Sequence, residues 1–214
     1  MYDTFIFDLD GTLVTHEMDF AAHRKELEKI LLSRGLPEEK LIWKDGFIAS
    51  FNIFCKELNS LGYDGDRVID ELIESIRLYE VERASYTKAI EGATEVLSYL
   101  KGKGYKIAIV TRNNRDAANI SIDNAGFREY VDVIIARDDA SAMKPKEDQF
   151  VIALERLGSS PESTVVVGDY SHEITAGNRL GCMTIGVLSG SGDLERLKGA
   201  EIIVSSAKDI MDYF

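Results

Sequence analysis

The sequence predicts an α/β fold built on a parallel sheet and interrupted by an inserted all-helical block. Three observations carry this. Short apolar runs of strand length recur between Tyr105 and Val204, amphipathic helical patterns separate them, and one further run, Phe5-Ile6-Phe7, stands alone near the start of the chain. Strands that alternate with helices pair in parallel and are covered by helices on both faces. The lone first strand belongs with the later ones, so the helical stretch between them is an insertion into one domain. The predicted organisation is a core of residues 1–14 and 87–214 with a helical domain at 15–86.

Phe5 to Phe7 is the short aromatic and β-branched run of a fully buried strand, and Gly11 marks a sharp turn after its end. From Glu17 to about Arg83 apolar residues return at steps of three and four: Leu27, Ile30 and Leu31, then Phe47, Phe51 and Phe54, then Val68, Leu72 and Ile76. Breaks at Gly35 to Pro37 and at Leu61 to Gly65 divide this stretch into three or four helices of a small bundle, packed by the phenylalanine stripe. Ala93, Val96, Leu97 and Leu100 give the next helical face, closed by Gly102 and Gly104, and Tyr105 to Val110 follows as a buried strand. Asp116 to Ala125 is a helix stopped by Gly126, and Val131 to Ala136 is a strand. Phe150, Ala153, Leu154 and Leu157 line a helix stopped by Gly158. The strands Thr164 to Val167, Met183 to Val187 and Ile202 to Val204 complete the pattern, the last leading into a helix that ends near Tyr213.

A composition of 45% hydrophobic and 29% charged residues over 214 positions suits one well-buried core with a smaller appendage. The formal charge of -12 and a pI near 4.8 oppose nucleic acid and anionic membranes, whose phosphates require a basic footprint. An anionic small molecule would need a local positive site made by lysines, amide groups or a metal ion. Cys55 and Cys182 lack metal-ligand spacing and read as inert buried thiols. No basic leader occurs and no apolar run approaches the ~18 residues of a membrane span, so the expectation is a soluble, cytoplasmic protein. Gln149, the single glutamine, hints at a heat-adapted source in which amides are depleted.

The chemistry is concentrated after the first strand, in Asp8-Leu9-Asp10-Gly11-Thr12. Residues two apart on an extended segment share a face, so Asp8 and Asp10 bring two carboxylates to one small volume. Like charges so close raise one another's pKa unless a metal or a shared proton neutralises them. The pair therefore asks for Mg²⁺, for acid/base chemistry, or for both. A helix-loop-helix calcium site would place glycine sixth and glutamate twelfth, where this chain has Leu13 and Asp19. An N-cap reading accounts for one aspartate and leaves the other without a purpose. Other strand ends carry matching groups: Thr111-Arg112-Asn113 offers a hydroxyl and main-chain amides to an anion, Lys144-Pro145-Lys146 a fixed positive charge, and Gly168-Asp169 with Glu173 further acids. Sites in open parallel sheets lie at such carboxyl ends.

Taken in order, these motifs resemble those of the haloacid dehalogenase-like hydrolases, especially the phosphatases with a helical cap inserted after the first strand and a phosphoglycolate-phosphatase-like layout. The resemblance spans nearly the whole chain. It implies a Rossmann-like core with strand order 5-4-1-2-3 under a mobile helical cap. It also implies that Asp8 attacks phosphorus to give an aspartyl-phosphate while Asp10 protonates the leaving oxygen and then deprotonates water. By the same resemblance Leu9, Asp10, Thr111, Arg112 and Lys144 bind the phosphoryl group, and Asp8, Asp10 (through its carbonyl) and Asp169 hold Mg²⁺. Glu173 stands where the family usually has aspartate; one methylene longer, it is expected to orient water on the metal rather than bind it directly. Thr15-His16 replaces the usual Asp-Ser. The dehalogenating relatives lack an aspartate at the Asp10 position, so the resemblance favours hydrolysis of small phosphate esters. A sugar-phosphate mutase, a phosphonate hydrolase and a non-catalytic phosphate-binding or regulatory protein are the competing readings. Arg24, Lys44, Arg67 and Arg77 could meet a second anionic group of the substrate, although the default for each is a solvated helix face. His16 and His172, nearer the motifs, read as supporting or surface residues.

Overall fold

The computed structural model describes residues 1–44 and 47–214. Strands β1 (Thr4–Phe7), β2 (Lys106–Val110), β3 (Val133–Ile135), β4 (Thr164–Gly168), β5 (Met183–Val187) and β6 (Ile202–Val204) form one parallel sheet in the order β3-β2-β1-β4-β5-β6. This is the expected 5-4-1-2-3 arrangement with β6 added beyond β5. The helices are α1 (Phe20–Ser33), α2 (Phe47–Ser60), α3 (Gly65–Ala84), α4 (Ala93–Gly102), α5 (Arg115–Asn124), α6 (Asp148–Leu157), α7 (Ser171–Leu180) and the single turn α8 (Leu194–Leu197).

Successive strand residues face opposite sides of the sheet, and each side has its own buried cluster. Phe5, Phe7, Ile107, Ile109, Val165 and Val167 pack with α4 on one side. Ile6, Ala108, Val110 and Val166 pack on the other with Phe150, Ala153 and Leu154 of α6. Burial on both faces explains why these strands read as continuous apolar runs. Phe7 is in register with Ile109 of β2 and Val167 of β4. Asp8, Thr111 and Asp169 therefore leave three neighbouring strands at nearly the same level.

The chain divides into two compact units, Met1–Glu17 with Arg83–Phe214 and, separately, Met18–Glu82. The second unit holds α1, α2 and most of α3. Asp19 caps α1 by accepting from the Ala22 amide at 2.9 Å. Leu27 and Leu31 of α1, Phe54 and Leu58 of α2, and Leu72 of α3 have no exposed surface and make its core, with Phe51, Val68 and Ile76. Trp43 meets Phe54 edge-on at 5.0 Å and donates to Glu28 at 2.8 Å. No described helix is long and apolar enough to cross a membrane.

Three features differ from the sequence expectation. The last element is a 3₁₀ helix (Ala207–Asp212), β3 is shorter than expected, and Cys55 is half-exposed, whereas Cys182 is buried. Cys55 lies on the edge of α2, where its thiol donates to Asp66 at 3.4 Å. Burial pushes the Cys182 thiol up to about 11.

Candidate active site

Asp8 closes the first strand, with its amide donating to the Val167 carbonyl at 2.9 Å. The chain then folds back on itself: the amides of Leu13 and Val14 both donate to the Leu9 carbonyl, and that of Gly11 to Val14. Gly11 has φ +86°, and a Cβ there would sit 2.5 Å from Asp169 Oδ2. Only glycine accommodates both the left-handed turn and the close approach. Leu9 points its side chain into the core, so any ligand contact it makes comes from the main chain. No hydrogen bond from the amides of Leu9 and Arg112 to a protein acceptor occurs among the described residues.

Lys144 is buried, and its ammonium meets three acceptors: Asp8 Oδ1, the Val110 carbonyl at 2.8 Å and Glu173 Oε1 at 2.8 Å. Three protons meet three oxygens. Burial alone would lower the lysine pKa, but the charges and hydrogen bonds of Asp8 and Glu173 outweigh it and hold the pKa above its ordinary value. Thr12 Oγ1 lies 3.4 Å from both Asp8 Oδ2 and Asp169 Oδ1. The other Asp169 oxygen accepts from the Ser191 amide at 2.7 Å and the Ser191 hydroxyl at 2.9 Å. Burial and the Asp8 charge raise the Asp169 pKa against the opposing pull of Ser191 and Lys144.

Glu173 lies in the first turn of α7, within 2% of full burial. Its extra methylene is accommodated by Gly168, where any Cβ would overlap the glutamate side chain. Oε1 takes Lys144, while Oε2 is buried without a partner. Burial, opposed by Lys144 and reinforced by Asp8, pushes its pKa up to about 7.

Asp10 is bound by Asn113, whose Nδ2 donates to Asp10 Oδ2 at 2.8 Å. Asn113 also donates its amide to the Thr111 hydroxyl at 3.1 Å, which links the first and second motifs. Arg112 donates to His172 Nδ1 at 3.1 Å. The structure thus joins Asp8, Lys144, Asp169 and Glu173 in one buried cluster, with Asp10 and Thr111 beside it through Asn113.

Some contributors belong to no motif in the sequence. Gln149, the single glutamine, is fully buried and ties two loops together: Nε2 donates to the carbonyls of Thr111 (2.8 Å) and Ala136 (3.1 Å), and Oε1 accepts from the Lys144 amide (3.1 Å). Its uniqueness in the sequence was the available signal. Ser191 carries none beyond its place in a loop after a strand, and for Asn113, already part of the Thr111-Arg112-Asn113 strand end, the side-chain bond to Asp10 has no sequence signal.

The arrangement fits a hard cation. Asp8 Oδ2 and Asp169 Oδ1 flank one hydroxyl in a buried setting, and the unpaired Glu173 Oε2 lies in the same cluster. Among the described residues no group of three or more His, Cys, Asp or Glu side chains is placed to hold a metal ion, so two carboxylates at most would do so directly. Mg²⁺ commonly takes one or two carboxylates and keeps several waters.

Residues 5–187 match the family described as haloacid dehalogenase-like hydrolase. The chain belongs to this family. It is 30% identical over 210 residues to a protein named pyrophosphatase PpaX from Bacillus velezensis, covering 96% of this chain and 89% of the relative. It is 30% identical over 187 residues to a phosphoglycolate phosphatase from Aquifex aeolicus, covering 86% and 84%. Among solved structures, a hydrolase from Pseudomonas syringae superposes with a TM-score of 0.72 at 27% identity, covering 99% of this chain and 97% of the other. A β-phosphoglucomutase from Clostridium difficile shares the fold with a TM-score of 0.68 at 20% identity, covering 100% and 95%. The haloacid dehalogenase-like chain is therefore a hydrolase with a Rossmann-like core, and its relatives include phosphatases.

Proposed function

We propose that this chain is a Mg²⁺-dependent phosphatase of small phosphorylated metabolites, working through an aspartyl-phosphate on Asp8. One observation carries the reading: Asp8 is a buried carboxylate clamped by Lys144, set against Asp169 and followed two residues later by a second, separately held carboxylate. A carboxylate placed in this way is a nucleophile with an acid/base partner.

In the first step an Asp8 oxygen bonds to phosphorus, the bond from phosphorus to the leaving oxygen breaks, and Asp10 gives that oxygen a proton. In the second, Asp10 removes a proton from water, the water oxygen attacks phosphorus, and the acyl-phosphate bond breaks to restore Asp8 and release phosphate. Thr111, Lys144 and the amides of Leu9, Asp10 and Arg112 supply donors to the phosphoryl oxygens, where charge stabilisation dominates catalysis. Asp8, the Asp10 carbonyl and Asp169 would hold Mg²⁺, which lowers the repulsion between carboxylate and phosphate. Glu173, through its unpaired oxygen, is assigned to the water around that ion. The helical unit Met18–Glu82 is assigned the role of a cap that selects substrate and excludes water.

The test is phosphate release from a metabolite panel with Mg²⁺ or with EDTA. The names of the similar proteins place pyrophosphate and phosphoglycolate first in that panel. Turnover should require Mg²⁺ and fall by on the order of 10³-fold or more in Asp8→Asn. Conversion of a sugar 1-phosphate to the 6-phosphate would identify a mutase, and a folded protein that releases no phosphate from any compound would refute the proposal.

A further inference from the structure

We infer that Arg112, oriented by His172, binds a second anionic group of the substrate, so that the preferred substrates carry a carboxylate or phosphate close to the phosphoryl group that is transferred. The inference rests on the phosphoryl group docking at Asp8 as proposed above.

Arg112 follows β2 and His172 follows β4, the strands on either side of β1. Neighbouring strands lie about 4.8 Å apart, which separates β2 from β4 by about 10 Å. The two side chains nevertheless meet, with Arg112 NH1 donating to His172 Nδ1 at 3.1 Å. The pair therefore bridges the end of β1, the strand that delivers Asp8. Because Nδ1 accepts this bond it carries no proton, and the imidazole is neutral in this contact. The His172 ring packs against Tyr170 at 4.7 Å, and Tyr170 lies under the Arg196 guanidinium at 5.1 Å. Arg196 in turn donates to the carbonyl of Ser191, the residue that anchors Asp169.

Charge singles Arg112 out. Arg115, Arg137 and Arg196 each pair with an aspartate: Asp139, Asp138 and Asp193. Among the described residues Arg112 pairs with no acid, in a chain of net charge -12. A half-buried guanidinium left without a carboxylate in an acidic protein is a ready anion receptor. One of its five donors is spent on His172, and its planar fork matches a carboxylate or phosphate edge. Lys144 is tied to Asp8, where the transferred phosphoryl group docks, and so belongs to the site of transfer rather than to a second anionic group.

The test compares phosphonoacetate, which bears a second anionic group, with ethylphosphonate, which does not, by calorimetric titration of the full chain in Mg²⁺. The wild-type protein should prefer phosphonoacetate by about 10- to 100-fold, the range of one charge-assisted interaction. Arg112→Met should remove that preference, and Arg112→Lys should keep part of it, as charge without the fork. In turnover, Arg112→Met should lower the ratio of kcat/KM for phosphoglycolate over p-nitrophenyl phosphate by a similar factor. Arg112→Gln serves as a second neutral variant where Arg112→Met does not fold. A wild-type protein without the preference, or neutral variants that retain it, would overturn the inference while leaving phosphatase activity in place. Failure of the phosphatase reading shows itself separately, as absence of phosphate release by the wild type from every compound of the panel, p-nitrophenyl phosphate and phosphoglycolate included.

Discussion

Replacing Lys144 with methionine should expose how much of the core's stability depends on one buried cation. Methionine keeps the length of the side chain and removes its charge. Asp8 and Glu173 lose their shared partner, and the Val110 carbonyl loses a donor. Removing one member of a buried ion pair costs about 3–5 kcal/mol, because the remaining charge has neither water nor a counterion. For a chain of this length each kcal/mol moves Tm by about 2–4 °C, so thermal unfolding of the metal-free protein should fall by roughly 6–20 °C. Glu173→Gln removes one of the stranded charges. In the Lys144→Met background it should therefore cost less than in the wild type, with a coupling energy of about 1–3 kcal/mol in a double-mutant cycle. The pH dependence has a defined sign. The folded-state pKa of Glu173, about 7, lies above the ordinary 4.5, so between those values the folded protein binds more protons than the unfolded chain. Stability contributed by Glu173 is full below 4.5 and is lost as pH rises through 7. A plot of Tm against pH should flatten over that window in Glu173→Gln. Additive single substitutions, to within about 0.5 kcal/mol, would refute the picture of one coupled cluster.

Asp10→Asn should lower kcat/KM for alkyl phosphates by about 10²- to 10⁴-fold and for p-nitrophenyl phosphate far less, since nitrophenolate leaves without a proton. Equal losses on both substrates would assign Asp10 a purely structural task. Gly11→Ala places a methyl group against Asp169 at positive φ; strain of about 1–3 kcal/mol and about a 10-fold or greater rise in the Mg²⁺ needed for half-maximal activity should follow, and an unchanged metal titration would contradict the close approach. His23, buried in the helical unit and stacked on Tyr79 at 4.1 Å, has its pKa lowered by burial against the raising charges of Glu80 and Glu26. Its contribution is complete above 6.5 and is lost as pH falls through the lower folded value, so chemical denaturation of His23→Phe should show less acid sensitivity than the wild type.

Local features of the chain were enough to read the sheet and the kinds of residue that end its strands. Phe5 to Phe7 and Thr164 to Val167 are buried on both faces, and such runs are legible because burial writes itself into consecutive residues. The acids after those strands, Asp8 and Asp169, stood out because carboxylates beside an apolar run need a purpose. What depended on distant partners was hidden. Lys144 reaches Asp8 across 136 positions of sequence, and its choice of Glu173 as second partner depends on α7 turning that side chain under Gly168. Gln149 and Ser191 are ordinary loop and helix residues until the chain folds, when each becomes the nearest donor to a group that burial has cut off from water. The Arg112–His172 contact arises only because β2 and β4 flank β1. Periodicity and motif record what a residue does to its own segment, whereas the pairing of buried charges and hydrogen bonds is set by strand register, which only the tertiary structure decides.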